Sequence, residues 1–73
     1  MLPVILIEGY DSDGVYVGHA KYQLAGYEYP WRAIAGSSGS VAVMWCQSIS
    51  EADLWLKKQG ATRTVRFTRG ELQ

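Results

Sequence analysis

Cysteine occurs once in this chain of 73 residues, at Cys46, and proline twice. A single thiol excludes an intramolecular disulfide and any zinc site built on cysteines within one chain, and it fits a reducing compartment. The chain is therefore expected to be cytoplasmic. Long hydrophobic runs are missing too. The apolar run Leu2 to Ile7 falls far short of the ~20 residues of a membrane span, and no basic segment precedes it as a secretory leader requires. Neither sign of charge is in excess: seven Lys plus Arg balance seven Asp plus Glu, so net charge gives no general attraction to nucleic acid or to an anionic membrane. No membrane partner is expected. Internal repeats, lipidation patterns and low-complexity tracts are absent, the nearest to the last being Gly36-Ser-Ser-Gly-Ser40.

The signatures of catalysis and of ligand chemistry are equally thin. Asp11-Ser-Asp13-Gly14 has the density of a calcium loop, but Gly9 and Ala20 stand where further ligands belong, so the stretch reads as a hairpin turn. His19 and Cys46 are a nucleophile and base only by residue type; no local motif accompanies either, and a small residue beside Trp45 on a strand is ordinary packing. The Gly36 to Ser40 loop lacks the Lys-Ser/Thr and the following helix of a phosphate cradle. No catalytic residue, no metal and no cofactor is expected, and the chain reads as non-enzymatic. The aromatic signature of an RNA-recognition motif and the GXXG of a KH domain are missing as well.

What is present is a chain that should fold. Hydrophobic residues make up 48% and charged residues 19%, too apolar for a disordered segment. The length suits one domain, residues 1–73, and a domain of this size buries only roughly 60% of its unfolded surface, which leaves a thin stability margin that partners can widen. Charge is segregated along it. Residues 1–30 carry Glu8, Asp11, Asp13 and Glu28 against Lys21, whereas residues 57–69 carry Lys57, Lys58, Arg63, Arg66 and Arg69 and no acid.

The strongest local signals run from Cys46 to Thr68. Ser48 or Ser50 serves as N-cap, with Glu51 or Asp53 three residues on; Ile49, Ala52, Trp55, Leu56 and Gln59 follow at helical spacing, lysines occupy the last turn, and Gly60 stops the helix. Val65 and Phe67 then alternate with Thr64, Arg66 and Thr68 in a half-buried strand. Earlier in the chain, Pro3 to Ile7 is apolar on both alternating faces, as a central strand is, with the turn Tyr10 to Gly14 after it. Val15 to Leu24 forms a second strand, with Tyr16, Ala20, Tyr22 and Leu24 as its core face. A third extended segment runs from Tyr27 to about Ala35, and Pro30 puts part of it on a sheet edge or outside the ladder. In the fourth, Val41, Val43 and Trp45 share one face and Ala42, Met44 and Cys46 the other.

The order β-β-β-β-α-β predicts an α+β fold, one mostly antiparallel sheet of four to five strands with one helix packed on a face. Geometry then poses a problem. Five strands spaced about 4.8 Å apart make a sheet roughly 20 Å wide, while a helix is about 10 Å across, so about half of one face is expected to be shielded and some apolar area left for a second copy or another protein.

Two features qualify as sites. In Tyr27-Glu-Tyr-Pro-Trp31-Arg32, the rings of Tyr27, Tyr29 and Trp31 line one face of an extended segment followed by Arg32, and Tyr, Trp and Arg dominate binding hot spots; the ordinary alternative is that the rings are the core of the third strand. Arg63, Arg66 and Arg69 surround Phe67 on the last strand and suit phosphates or other anions, the ordinary alternative being a charge-protected edge. By size and layout alone the chain resembles the small stand-alone proteins that phages make to inhibit host machinery, anti-CRISPR proteins among them. That likeness covers no specific residue, and it implies a small inhibitor or regulator. The expected function is thus a protein-interaction module that binds a larger protein partner, or itself as a homodimer, through Tyr27, Tyr29, Trp31 and Arg32. The alternative is single-stranded nucleic-acid binding, with tyrosines and Trp31 stacking on bases and Arg63, Arg66 and Arg69 on phosphates.

Overall fold

The computed structural model describes residues 3–23, 25–37 and 40–72. Four strands, β1 (Val4–Tyr10), β2 (Tyr16–Tyr22), β3 (Trp31–Ser37) and β4 (Ser40–Cys46), are followed by helix α1 (Ile49–Lys58), strand β5 (Arg63–Thr68) and a short 3-10 turn at Arg69–Leu72. The strands form one antiparallel sheet in the order β4-β3-β2-β1-β5. The first four therefore make a meander, and α1 carries the chain across the sheet from the β4 edge to the β5 edge, where β5 pairs with β1.

Local chemistry explains the crossing. Of the two candidate caps the structure uses Ser48, whose hydroxyl accepts the Glu51 amide at 3.2 Å while the Glu51 carboxylate reaches back to the Gln47 amide. At the other end Ala61 N–H donates to the Leu56 carbonyl and Gly60 N–H to the Lys57 carbonyl, the paired bonds of a Schellman stop. Gly60 takes φ +115, where a side chain is strained. Ala52 and Leu56 point into the sheet and are fully buried, each buried leucine contributing about 2 kcal/mol. On the flank toward β5, the Thr64 hydroxyl donates to Asp53, which also pairs with Lys57 at 3.1 Å. Burial works to raise the Asp53 pKa, but the Thr64 hydroxyl, Lys57 and Arg66 outweigh it and hold the carboxyl below its usual range.

The helix touches all five strands. It can do so because the face beneath it is paved with small residues. Partners across the ladders point to the same side, so Ile7, Ala20 and Ala33 form one row under the helix, Gly9, Gly18 and Ala35 the next, and all are buried. At Gly18 the strands approach so closely that a Cβ would lie 2.3 Å from the Ile34 carbonyl oxygen and 2.8 Å from Ala35. Trp31 and Cys46, opposite one another in β3 and β4, close this core at the end where α1 begins, and burial pushes the Cys46 thiol pKa up.

Several expectations need correction. β3 starts at Trp31; residues 25–29 are turn and bends, so Tyr27 and Tyr29 do not line a strand face. β3 lies inside the sheet between β2 and β4, and Pro30 precedes the ladder, its carbonyl accepting the Gln23 amide at 2.9 Å. Tyr16 does not share the face of Ala20, because a register shift between Gly9 and Tyr10 sets it opposite Tyr10. Leu24, assigned to that same face, lies outside the described residues, as do Ser38 and Gly39 of the serine-glycine loop. The turn before β2 matches its reading: the Asp11 carboxylate accepts the amides of Asp13 and Val15, and Gly14 takes φ +78.

Candidate interaction surface

Because α1 occupies one face of the sheet, every strand presents its alternate residues on a second face that no other described element covers. The registers define two rows across all five strands. One reads Phe67, Leu6, Lys21, Arg32, Trp45 and the other Val65, Glu8, His19, Ile34, Val43, from the β5 edge to the β4 edge. Beyond them Arg63, Tyr10 and Tyr16 extend the face on the β5 side, and Val41 on the β4 side. Bulk is reversed relative to the helix side: this face carries Trp45 at 40% exposure, Val43 at 49% and Val41 at 66%. β5 contributes to it as well. Its apolar residues, Val65 and Phe67, look away from the helix, and its Thr64, Arg66 and Thr68 lie on the helix side.

A polar network fixes the middle. The Tyr10 hydroxyl donates to Glu8 Oε1 at 2.8 Å, the Arg63 guanidinium sits 4.8 Å from the centre of the Tyr10 ring, and the Tyr16 ring meets Tyr10 edge-on at 6.0 Å. The bond to Glu8 raises the Tyr10 pKa, and partial burial raises that of Tyr16. For His19, partial burial is the largest effect and lowers the pKa; Lys21 lowers it further, Glu8 opposes, and Arg32 adds to the lowering. The His19 Nδ1 and the Tyr16 hydroxyl are hydrogen-bonded to each other.

The cations are the most informative feature. Lys21 and Arg32 stand directly opposite each other, an arrangement that destabilises a ladder. Among the described residues the one ion pair is Lys57 with Asp53, so neither cation has a carboxylate partner. With Arg63 they set three cations against one carboxylate, Glu8, which the Tyr10 hydroxyl already engages. The face is therefore locally positive on a chain of zero net charge.

The residues singled out from sequence do not converge. Tyr27, at 68% exposure, and Tyr29, at 45%, are on the β2–β3 connection, which Glu28 ties to Gln47 at 3.2 Å. Trp31 is only 4% exposed and packs edge-on against Tyr22 at 5.5 Å, so it belongs to the core and not to a contact surface. Arg32, its neighbour, points to the opposite face. The three arginines separate likewise: Arg63 lies on the uncovered face, Arg66 on the helix side near Asp53, and Arg69 in the 3-10 turn beside an apolar cleft of about 510 Å³ lined by Val4, Ile5, Tyr22, Trp31 and Ile49. His19 and Cys46 occupy opposite faces and cannot act together. Sequence reasoning missed Tyr10, Tyr16, Lys21 and Trp45 as surface partners. The alternation on β4 already grouped Trp45 with Val41 and Val43, but only the cross-strand register joins them to Arg32 and Lys21.

The fold defines the class: an antiparallel five-stranded sheet with a single helix on one face. No family model, no curated protein and no solved structure matches the chain. No helix among the described residues is long and apolar enough to cross a membrane.

Proposed function

We propose that this chain is a non-enzymatic protein-interaction module, a small inhibitor or regulator that docks on a larger protein through the uncovered face of its sheet. The observation that carries this reading is the pair of five-residue rows, both apolar at their ends and one of them carrying Lys21 and Arg32 between, lying on a face that no described element covers. Trp45, Val43 and Ile34 serve as the desolvated anchor, and Lys21, Arg32 and Arg63 select an acidic patch on the partner. The exposed Tyr27 and Tyr29 remain part of the proposal as a second, smaller contact at the end of the sheet. The phage-inhibitor reading rests on size and layout alone, and a cytoplasmic location on the single buried thiol.

A second reading is supported by one specific observation: Lys21, Arg32 and Arg63 share their face with Tyr10, Tyr16 and Trp45, the combination that holds single-stranded nucleic acid. The experiment compares wild type with Trp45→Ala and Arg32→Ala. Capture of a protein partner from host lysate, lost by at least about tenfold in both variants at unchanged melting temperature, supports the first reading. Oligonucleotide binding whose salt slope falls by about one unit in Arg32→Ala, and is unchanged in Arg66→Ala on the opposite face, replaces it with the second.

A further inference from the structure

The two edges of the sheet are built differently. β5 carries Arg63 and Arg66 and runs into a turn bearing Arg69, charges that discourage another strand from pairing. β4, Ser-Val-Ala-Val-Met-Trp-Cys, holds no charge, no proline and no glycine. It runs without a register shift from Ser40 to Cys46, and every residue but Cys46 is exposed. A long, flat, apolar edge with unpaired amides and carbonyls is a template for one more strand.

We infer that β4 pairs antiparallel with β4 of a second copy of this chain, across a two-fold axis at Val43, joining two sheets into one of ten strands. The strand is complementary to itself in this register. On the uncovered face Val41 meets Trp45 of the second copy, and on the helix side Ala42 meets Met44, small against large in both cases, while Val43 meets itself. The helices agree. Glu51, Trp55 and Lys58 lie along the β4 flank of α1, above a cleft of about 220 Å³ shared with Met44 and Cys46. The two-fold reverses α1, so Glu51 of one copy faces Lys58 of the other. Among the described residues of its own chain Lys58 has no carboxylate partner, the ion pair there being Lys57 with Asp53.

The area sets the strength. Seven residues of strand span about 23 Å and the two layers are about 20 Å thick, giving about 450 Å² of edge per copy and about 900 Å² in total. That lies below the size of tight complexes and suits a reversible, micromolar dimer. Pairing also merges the two uncovered faces at their Trp45 ends, which doubles the proposed docking surface and lets a two-sited partner gain by avidity.

Sedimentation of the purified chain alone, from about 1 μM to about 1 mM, tests this independently of any partner. The wild type is expected to pass from monomer to dimer. Ala42→Lys, which places a charge on the edge while leaving the uncovered face intact, is expected to weaken association at least about tenfold. Val43→Cys is expected to form an intermolecular disulfide under mild oxidation, because it meets its own copy at the axis. A wild type that stays monomeric throughout overturns the proposal. So does a dimer that survives Ala42→Lys, or one in which Val43→Cys fails to cross-link.

Discussion

The two faces of the sheet solve opposite problems with the same alternation of residues. On the helix side Gly9, Gly18, Ala20, Ala33 and Ala35 bring the backbone of α1 close, so a ten-residue helix reaches all five strands. On the other side the bulk of Leu6, Ile34, Val43, Trp45 and Phe67 is interrupted by Glu8, His19, Lys21 and Arg32. A face meant only to be wet has little use for the first set, and one meant only as core has none for the second. Close packing under the helix therefore rests on the small residues of the sheet, and the exposed apolar bulk lies on the other face.

Substitutions should separate these roles by magnitude. The largest effect is expected at Gly18→Ala, where the added Cβ collides with the β3 backbone; a loss of about 3 kcal/mol or more, read as a melting temperature lower by about 12 °C or more, marks the helix side as unable to accept bulk. A variant that melts like wild type would dissolve the contrast between the faces. Leu56→Ala comes next, at about 3 kcal/mol by denaturant unfolding, because the leucine is fully buried over that small-residue floor and the cavity cannot refill. Gly60→Val should cost about 1 kcal/mol or more, since φ +115 strains a branched side chain while the space around it is open; an unaltered denaturation midpoint would mean the helix stop is not set there.

The smallest effect sharpens the comparison through pH. The folded chain holds the His19 pKa below its ordinary value, so the unfolded chain takes up the proton first as pH falls. The contribution of His19 is therefore fully present above about pH 6.5 and is lost as pH drops through the folded-state value. His19→Gln should flatten the fall in denaturation midpoint between about pH 7 and about pH 5, and an unchanged slope would mean that folding does not depress the His19 pKa. Asp53 acts in a separate, more acidic window, because its lowered pKa withdraws stability only as pH falls below the ordinary carboxylate range.

By itself the sequence determined the elements and their order. The Ser48 cap, the Gly60 stop and the lysines of the last turn are local, each acting within one helical turn, and the structure starts and ends α1 at them. Period-two alternation likewise sorted the residues of β4 and β5 into the pairs of faces observed. Only the tertiary structure decided which face the helix covers. Alternation is unchanged when the two faces are exchanged, so nothing local reveals that Trp31 turns inward and Arg32 outward, or that Val65 and Phe67 turn away from α1. That choice is made by the registers among five strands and by a crossover from one edge to the other, contacts between residues distant in the chain. The register shift between Gly9 and Tyr10 then moves Tyr16 to the side of Glu8 and His19, which no reading of β2 alone can foresee.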